Sequence, residues 1–401
     1  MKVITEKTKV ESLLTRAVSE VIVSAHLKEG LESGKKLRVK FGIDPTAPDI
    51  HLGHAVSLMK LKEFQNLGHQ AVLIIGDFTA RIGDPTGRIE ARKILSPQAI
   101  KQNLKGYLKQ AGKIIDIEKT EIRYNNEWFG KMGAVEFYNL AGKVTVQQII
   151  KREDFKKRIQ NDQNLTLNEM MYPIFQGYDS VMVKADIEIG GEDQKVNLLM
   201  GRRVQRAYGM PEQDILTLWL LEGTDGTKKM SKSSGNFIGV SEKPEIMFGK
   251  IMSIPDALIV KYFRALTAVP DLNIDKFEEE LKNPKINPRD IKKILAGEIV
   301  KIYHGEKKAE KAMAEFERVF TKKELPENIQ EITITAKKRD IVELLIQLHL
   351  ALSKGEARRL VIGNAVKVDG KIISDFKAEI NARSGMIVQA GKRHFARIKT
   401  K

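Results

Sequence analysis

The stretch LRVKFGIDPTAPDIHLGH, residues 37–54, continues through AVSLMKLKEFQNLGHQ into the apolar run AVLII at 71–75. Residues 37–43 read as a buried strand, and the proline-flanked DPTAP that follows is a turn. From there Leu52, Ala55, Val56, Met59, Phe64 and Leu67 recur at helical spacing, and Gly68 is a C-terminal stop. Residues 71–75 read as a second buried strand. Strand, helix and strand with short joints form a βαβ unit, which requires a parallel sheet with helices on both faces. The expected fold class is therefore α/β.

A second unit of the same kind lies downstream. VMVKADIEIG (181–190) reads as a strand, residues 194–208 as a helix, and ILTLWLL (215–221) as the next strand. Residues 118–180 between the halves read as a largely helical insertion. After Gly235 the pattern is helical to about residue 320, broken by Pro244, Pro255, Pro270, Pro284 and Pro288. Residues 321–336 read as a linker. The tail begins with an apolar helix (341–350), continues into SKGEARRL, and ends in short strand patterns around VKVDGKII and GMIVQAGKRHF. The expected domains are 1–224, 225–335 and 336–401.

Bulk properties narrow the function. The chain has 401 residues, 42% of them hydrophobic and 30% charged, and no cysteine, which excludes disulfides and thiolate-ligated metals. The first 27 residues show an amphipathic helical pattern with scattered charges, and no apolar run is long enough to cross a bilayer. The expected compartment is the cytoplasm, and no membrane contact is expected. The formal net charge is +16, and residues 336–401 hold 15 basic against 6 acidic side chains. Such a surplus suits a polyanion, since neutralising phosphates releases counterions, although a solubilising tail has the same composition.

Two segments carry the chemistry. In Asp44-Pro45-Thr46-Ala47-Pro48-Asp49-Ile50-His51-Leu52-Gly53-His54, two imidazoles stand three residues apart where a strand ends and a helix begins. Open α/β sheets bind ligands at the carboxyl ends of their strands, and a helix N-terminus offers free N–H groups to phosphate. Gly53 leaves room there for a flat base or ribose. Taken alone, the segment also fits a helix cap with two surface histidines. The second is Gly226-Thr227-Lys228-Lys229-Met230-Ser231-Lys232-Ser233-Ser234-Gly235, a glycine-bounded loop of alternating hydroxyls and ammonium groups. It can close over a triphosphate and neutralise departing pyrophosphate; alone, it also reads as a basic surface loop.

Together, His-Leu-Gly-His in the first βα turn and Lys-Met-Ser-Lys-Ser far downstream resemble the paired signatures of class I aminoacyl-tRNA synthetases. Between them, Tyr172-Pro173-Ile174-Phe175-Gln176-Gly177-Tyr178-Asp179 resembles the tyrosine-pocket helix of bacterial tyrosyl-tRNA synthetases, and residues 172, 176 and 179 share one helix face. The resemblance covers nearly the whole chain from about residue 11. It implies a Rossmann-type catalytic domain with a helical insertion, an α-helical domain, and a small α+β S4-like RNA-binding domain. It implies that Tyr172, Gln176 and Asp84 hold the substrate ammonium and that Asp179 accepts from the phenol. Asn125, Asp44 and Gln194 join them in the tyrosine pocket, with Gln194 near the substrate carboxyl group. For ATP it implies Gly42, Asp44, Thr46, His51, Gly53, His54, Gly190, Asp193, Lys229, Met230 and Lys232, with Asp193 on the ribose. For RNA it implies Lys354, Arg358, Arg359, Lys392 and Arg393. Glycine-rich Ile82-Gly83-Asp84-Pro85-Thr86-Gly87 belongs to the same pattern.

There is one departure. Many members of the family carry a tyrosine two residues before the strand glycine, sharing recognition of the phenol; here Lys40 stands in that place and is counted among the expected tyrosine-binding residues. This resembles the second bacterial subtype and leaves open what besides Asp179 meets the phenol. The implied reaction is attack of the tyrosine carboxylate on the α-phosphate of ATP, then transfer of tyrosine to tRNA. Thr46, His51, His54, Lys229 and Lys232 would be its catalytic residues. Mg²⁺ would arrive with ATP, no protein-bound metal is expected, and the implied assembly is a homodimer through 118–180. Three other readings share part of the pattern. Tryptophanyl-tRNA synthetases share both signatures, a ribosome-associated RNA-binding protein could use the tail alone, and nucleotidylyltransferases use a similar histidine turn.

Overall fold

A computed structural model of the chain describes residues 2–86, 95–321, 325, 329–335, 338–391 and 394–400. Gly87, Lys392 and Arg393 lie outside these residues, as does part of the expected linker. Two compact units emerge, Met1–Lys243 with Lys250–Glu306, and Pro244–Gly249 with Lys307–Lys401.

The first unit is built on a six-stranded sheet of β1 (Val18–Ile22), β2 (Arg38–Ile43), β3 (Gln70–Ile75), β4 (Glu121–Tyr124), β5 (Ile187–Gly191) and β6 (Asp214–Leu218), in the order β1-β6-β5-β2-β3-β4. β2 runs parallel to β3 along its whole length and parallel to β5 at Val39↔Ile187 and Lys40↔Glu188. The helix Leu52–Asn66 crosses between β2 and β3 and buries Leu52, Ala55, Val56, Leu58, Leu61 and Phe64, while Met59 is only half-buried. Strand order switches direction between β2 and β5, which makes the crevice above their carboxyl ends the expected ligand site.

The structure departs from the sequence reading in four places. The N-terminal stretch is two short helices, Lys7–Thr15 and Ser24–Glu32, with β1 between them, antiparallel to β6 at the sheet edge. The stretch expected to be an insertion opens with a sheet strand, β4, before turning helical. Residues 181–186 are not strand. The pocket helix Leu167–Met182 runs on through 182, a left-handed residue follows at Lys184 (φ 51°), and β5 begins only at Ile187. Finally, the expected linker contains β7 (Gln330–Ile334).

In the second unit β7 joins β8 (Lys338–Asp340), β9 (Val366–Val368), β10 (Lys371–Ile372), β11 (Glu379–Asn381), β12 (Ile387–Ala390) and β13 (His394–Thr400). A five-stranded sheet has the order β10-β9-β12-β13-β7, and β8 pairs separately with β11. Its helices Ile341–Gln347 and Lys354–Ile362 are capped by the Asp340 carboxylate and the Ser353 hydroxyl, which accept from the first-turn N–H groups of Val342 and Glu356. Leu344, Leu345, Ala357, Val361, Val366 and Val388 form the core between helices and sheet.

Candidate active site

The crevice at the carboxyl ends of β2 and β5 opens into a cavity of about 510 Å³ in the first unit. β2 delivers Asp44 to its floor, where Asp44 Oδ2 accepts from the Tyr172 hydroxyl at 2.9 Å and Oδ1 from the Thr79 hydroxyl at 2.7 Å. That approach requires a glycine opposite. A Cβ on Gly76 would lie 1.9 Å from Asp44 Oδ1 and 2.3 Å from Thr79 Oγ1.

The pocket helix is fixed at its start by Thr166, whose hydroxyl accepts from the Glu169 N–H, and by the buried ion pair Arg158–Glu169 at 2.7 Å. Helical periodicity then turns Tyr172, Gln176 and Asp179 into the cavity, as the spacing implied. Asp179 is buried and accepts from the Trp128 indole N–H at 3.0 Å and the Asn125 amide at 3.3 Å. Burial pushes its carboxyl up to about 7, against the opposing charge of Lys40 and the donors Asn125 and Trp128. Asn125 is itself fully buried and reaches the pocket through Asp179 rather than by lining the cavity.

At the rim, Asp84 Oδ2 accepts from Gln194 Nε2 at 2.6 Å and Oδ1 from the Thr86 hydroxyl at 2.6 Å. Asn197 donates to Gln194 Oε1, and buried Arg152 donates to Asn197 Oδ1 at 2.7 Å and to Thr86 Oγ1 at 3.1 Å. Thus Thr79, Trp128, Arg152 and Asn197, none of them singled out by the sequence, hold the residues that were.

Lys40 requires a correction. It does not line the cavity: it is fully buried, and its ammonium pairs with Glu188, equally buried, at 2.9 Å. The sheet register, which sets the two residues side by side, leaves it facing the back of the pocket helix. A signal for this existed, since a lysine in the middle of β2 and the one charge of β5 each need a buried partner.

The two signature motifs line the same cavity. His51 begins the helix Leu52–Asn66, its backbone N–H donates to His54 Nδ1 at 3.4 Å, and the two rings stack with centroids 3.8 Å apart. A Cβ on Gly53 would press to 3.0 Å from the His51 ring. Burial, reinforced by Lys232 and Lys229, lowers His51 to about 4, and burial with His51 takes His54 well below its ordinary value. Both imidazoles are neutral at physiological pH and offer N–H donors rather than charge. His51 Nδ1 is buried without a partner among the described residues.

The signature loop is tied to this helix start. Backbone bonds from Leu52 N–H to Ile238 O (2.9 Å) and from Val240 N–H to Ile50 O (3.0 Å) form a two-rung ladder. Within the loop, the Asn236 side chain accepts from Ser231 N–H at 2.9 Å and donates to Asp225 at 3.0 Å. Lys229 pairs with Asp193, and Lys232 lies 3.7 Å from Asp49. Gly42, Thr46, Gly53, Gly190, Asp193, Lys229, Met230 and Lys232 all line the same cavity. No group of three His, Cys, Asp or Glu side chains that could hold a metal occurs among the described residues, and no described helix is long and apolar enough to cross a membrane. In the second unit, Lys354, Arg358 and Arg359 are exposed on the helix Lys354–Ile362.

Residues 32–321 match the family model of class I tRNA synthetases (W and Y), and residues 321–398 match that of the tyrosine–tRNA ligase SYY-like C-terminal domain. The chain is 47% identical to the tyrosine–tRNA ligase of Thermotoga maritima over 386 residues, covering 96% of each chain. The chain belongs to the tyrosine–tRNA ligase family. A second member of the family, from Moorella thermoacetica, is 46% identical over 97% of this chain and 95% of its own. Among solved structures, a truncated mitochondrial tyrosyl-tRNA synthetase from Aspergillus nidulans superimposes with a TM-score of 0.67 at 23% identity, over 79% of this chain and 95% of that one. The tryptophanyl-tRNA synthetase of Plasmodium falciparum gives 0.59 at 15% identity, over 78% and 92%. Fold alone is therefore common to tyrosine and tryptophan enzymes. It is the sequence relatives that place this chain in the tyrosine–tRNA ligase family.

Proposed function

We propose that the floor of the cavity takes L-tyrosine, the opposite wall takes ATP, and the two meet between Asp44 and the signature helix. The overall reaction is that of the family: tyrosine is joined to tRNA with ATP as the energy source. The observation that carries the assignment of residues is that one cavity connects the Tyr172, Gln176 and Asp179 face to both phosphate-side motifs.

In this reading the substrate phenol donates to Asp179, and its ammonium group displaces the Gln194 amide from Asp84 and reaches Tyr172 and Gln176. The tyrosine carboxylate attacks the α-phosphorus, a P–O bond forms, and pyrophosphate leaves with the electrons of the broken bond. The adenylate carbonyl is then attacked by a terminal ribose hydroxyl of tRNA, releasing AMP. Since no covalent enzyme intermediate is needed, the protein acts by positioning and by stabilising charge. The neutral N–H groups of His51 and His54, with Thr46, would meet the phosphates. Lys229 and Lys232 would exchange Asp193 and Asp49 for the pyrophosphate, freeing Asp193 for the ribose. Mg²⁺ would accompany the nucleotide.

For the division of labour we propose catalysis in 1–224, the signature loop and a helical tRNA-binding segment in 225–335, and RNA binding in 336–401 through Lys354, Arg358, Arg359, Lys392 and Arg393. A homodimer through 118–180 is supported by apolar side chains left on its surface, among them Val135, Phe137, Tyr138 and Leu167, the last two 78% exposed. The proposed compartment is the cytoplasm.

Amino-acid-dependent ATP–pyrophosphate exchange tests the reading, with tyrosine, phenylalanine and tryptophan measured on the native chain and on Asp179→Ala. Exchange with tyrosine alone, lost in the variant, is expected. Exchange with tryptophan, or an unaltered variant, would contradict the pocket assignment.

A further inference from the structure

Lys40 and Glu188 are register partners on β2 and β5, buried beneath the middle of the pocket helix. The Lys40 ammonium has three donors, and all three are used: Gln176 O at 2.7 Å, Ser180 Oγ at 2.7 Å and Glu188 Oε1 at 2.9 Å. None is left for a ligand. Glu188 is just as fully engaged. It accepts from Gln176 Nε2 at 3.1 Å, from the Ser180 hydroxyl at 3.2 Å and from Gln213 Nε2.

Two consequences reach the cavity from behind. A carboxylate only accepts hydrogen bonds, so Glu188 must face the nitrogen of the Gln176 amide and leave its oxygen directed away. Gln176 lines the cavity, and that oxygen is the acceptor an ammonium group needs. Asp179 sits on the same helix between Gln176 and Ser180, the two residues to which Lys40 donates. Three charged or titratable groups face it: Lys40 on β2, Glu188 on β5, and Tyr172 on its own helix, while Asn125 and Trp128 are neutral donors. Burial is the largest influence on Asp179 and raises it, Lys40 is the largest opposing one, and Glu188 adds a smaller upward push.

We propose that Lys40, with Glu188, is the positioning pair for tyrosine specificity, presenting Asp179 to the substrate phenol as a charged acceptor and turning the carbonyl of Gln176 toward the substrate ammonium. The inference rests on the assignment of Asp179 and Gln176 to the substrate made above. A buried ion pair is a poor stabiliser, since removing two charges from water costs about as much as their attraction returns. Its presence beneath the helix that carries Tyr172, Gln176 and Asp179 is explained by what it does to that helix. Lys40 thus acts on the phenol without touching it.

The test is the pH dependence of kcat/KM for tyrosine in pyrophosphate exchange, with the tyrosine-to-phenylalanine ratio read alongside. Lys40→Met with Glu188→Gln removes both charges and nearly preserves shape. Because Lys40 outweighs Glu188, the acid limb of the profile should move to higher pH, by about one unit, and the ratio at neutral pH should fall by about tenfold. Glu188→Gln alone should move the limb the other way, to lower pH, and this single variant carries the test should the double variant not fold. A general disturbance of packing would not shift the two variants in opposite directions. Asp179→Asn should remove the limb altogether. If the limb persists there, the Asp179 assignment fails and this inference with it. If it vanishes there but stays in place in both pair variants, or moves the same way in both, the Lys40 inference alone is overturned.

Discussion

The two halves of the cavity are built on opposite principles. In the half proposed for the amino acid, Asp179 is buried under Trp128 and Asn125, with the buried Lys40–Glu188 pair behind it. In the half proposed for the nucleotide, the signature-loop side chains of Lys229 and Lys232 are 54% and 26% exposed and lean on single carboxylates. Buried, multiply bonded groups cannot reorganise cheaply, so they select a ligand that already fits. Half-exposed ammonium groups on a glycine-bounded loop exchange partners at little cost, which suits charge that appears only as the reaction proceeds. On the proposed assignment, this difference would make selection and rate separable in this molecule.

The sharpest attempt to break that separation is Lys229→Ala with Lys232→Ala. The rate of adenylate formation at saturation should fall by about 10²–10³, the loss expected when preorganised charge is removed from a transition state, with tyrosine affinity unaltered. Weaker tyrosine binding in equilibrium titrations would join the halves. Next in size, Asp179→Asn keeps shape and removes charge. Loss of a hydrogen bond to a charged group, about 1.5–3 kcal/mol, should lower kcat/KM for tyrosine by about 10- to 100-fold and raise relative activity with phenylalanine. Gly76→Ala should follow, because its Cβ would collide with the carboxylate and hydroxyl of the Asp44–Thr79 pair. A cost of about 1–3 kcal/mol in denaturant melts and a raised tyrosine KM are expected. The smallest effect concerns pH. His51 sits at about 4 and His54 well below its ordinary value, so both stay neutral around neutral pH. An acid limb near neutrality should therefore survive His51→Asn and be lost in Asp179→Asn, whose native carboxyl lies at about 7 and gives up its charge as pH falls.

The same physics explains what the sequence disclosed and what it hid. The β2–helix–β3 unit was legible because apolar periodicity and Gly68, left-handed at φ 91°, mark the helix and its end. The end of the pocket helix was not, because Lys184 takes the left-handed position that glycine usually announces, and the apolar 181–183 was read as strand. β1 is a short edge strand of five residues with two exposed and none fully buried, which leaves no apolar run to notice. In the site, Tyr172, Gln176 and Asp179 could be grouped from helical spacing alone. Trp128, Arg152 and Gln213 could not, since they are joined to the pocket only by contacts between distant segments. Lys40 was noticed as a departure but placed on the wrong side of the helix, because its partner Glu188 lies 148 residues on and only the strand register brings them together.

The most direct test of separable halves is single-turnover formation of tyrosyl-adenylate as a function of tyrosine concentration, run side by side on Asp179→Asn and on Lys229→Ala/Lys232→Ala. The expected result is a crossing: the aspartate variant needs more tyrosine but reaches nearly the native rate, while the lysine variant saturates at the native tyrosine concentration with a rate reduced by about 10²–10³. Both variants losing affinity and rate together would contradict the account.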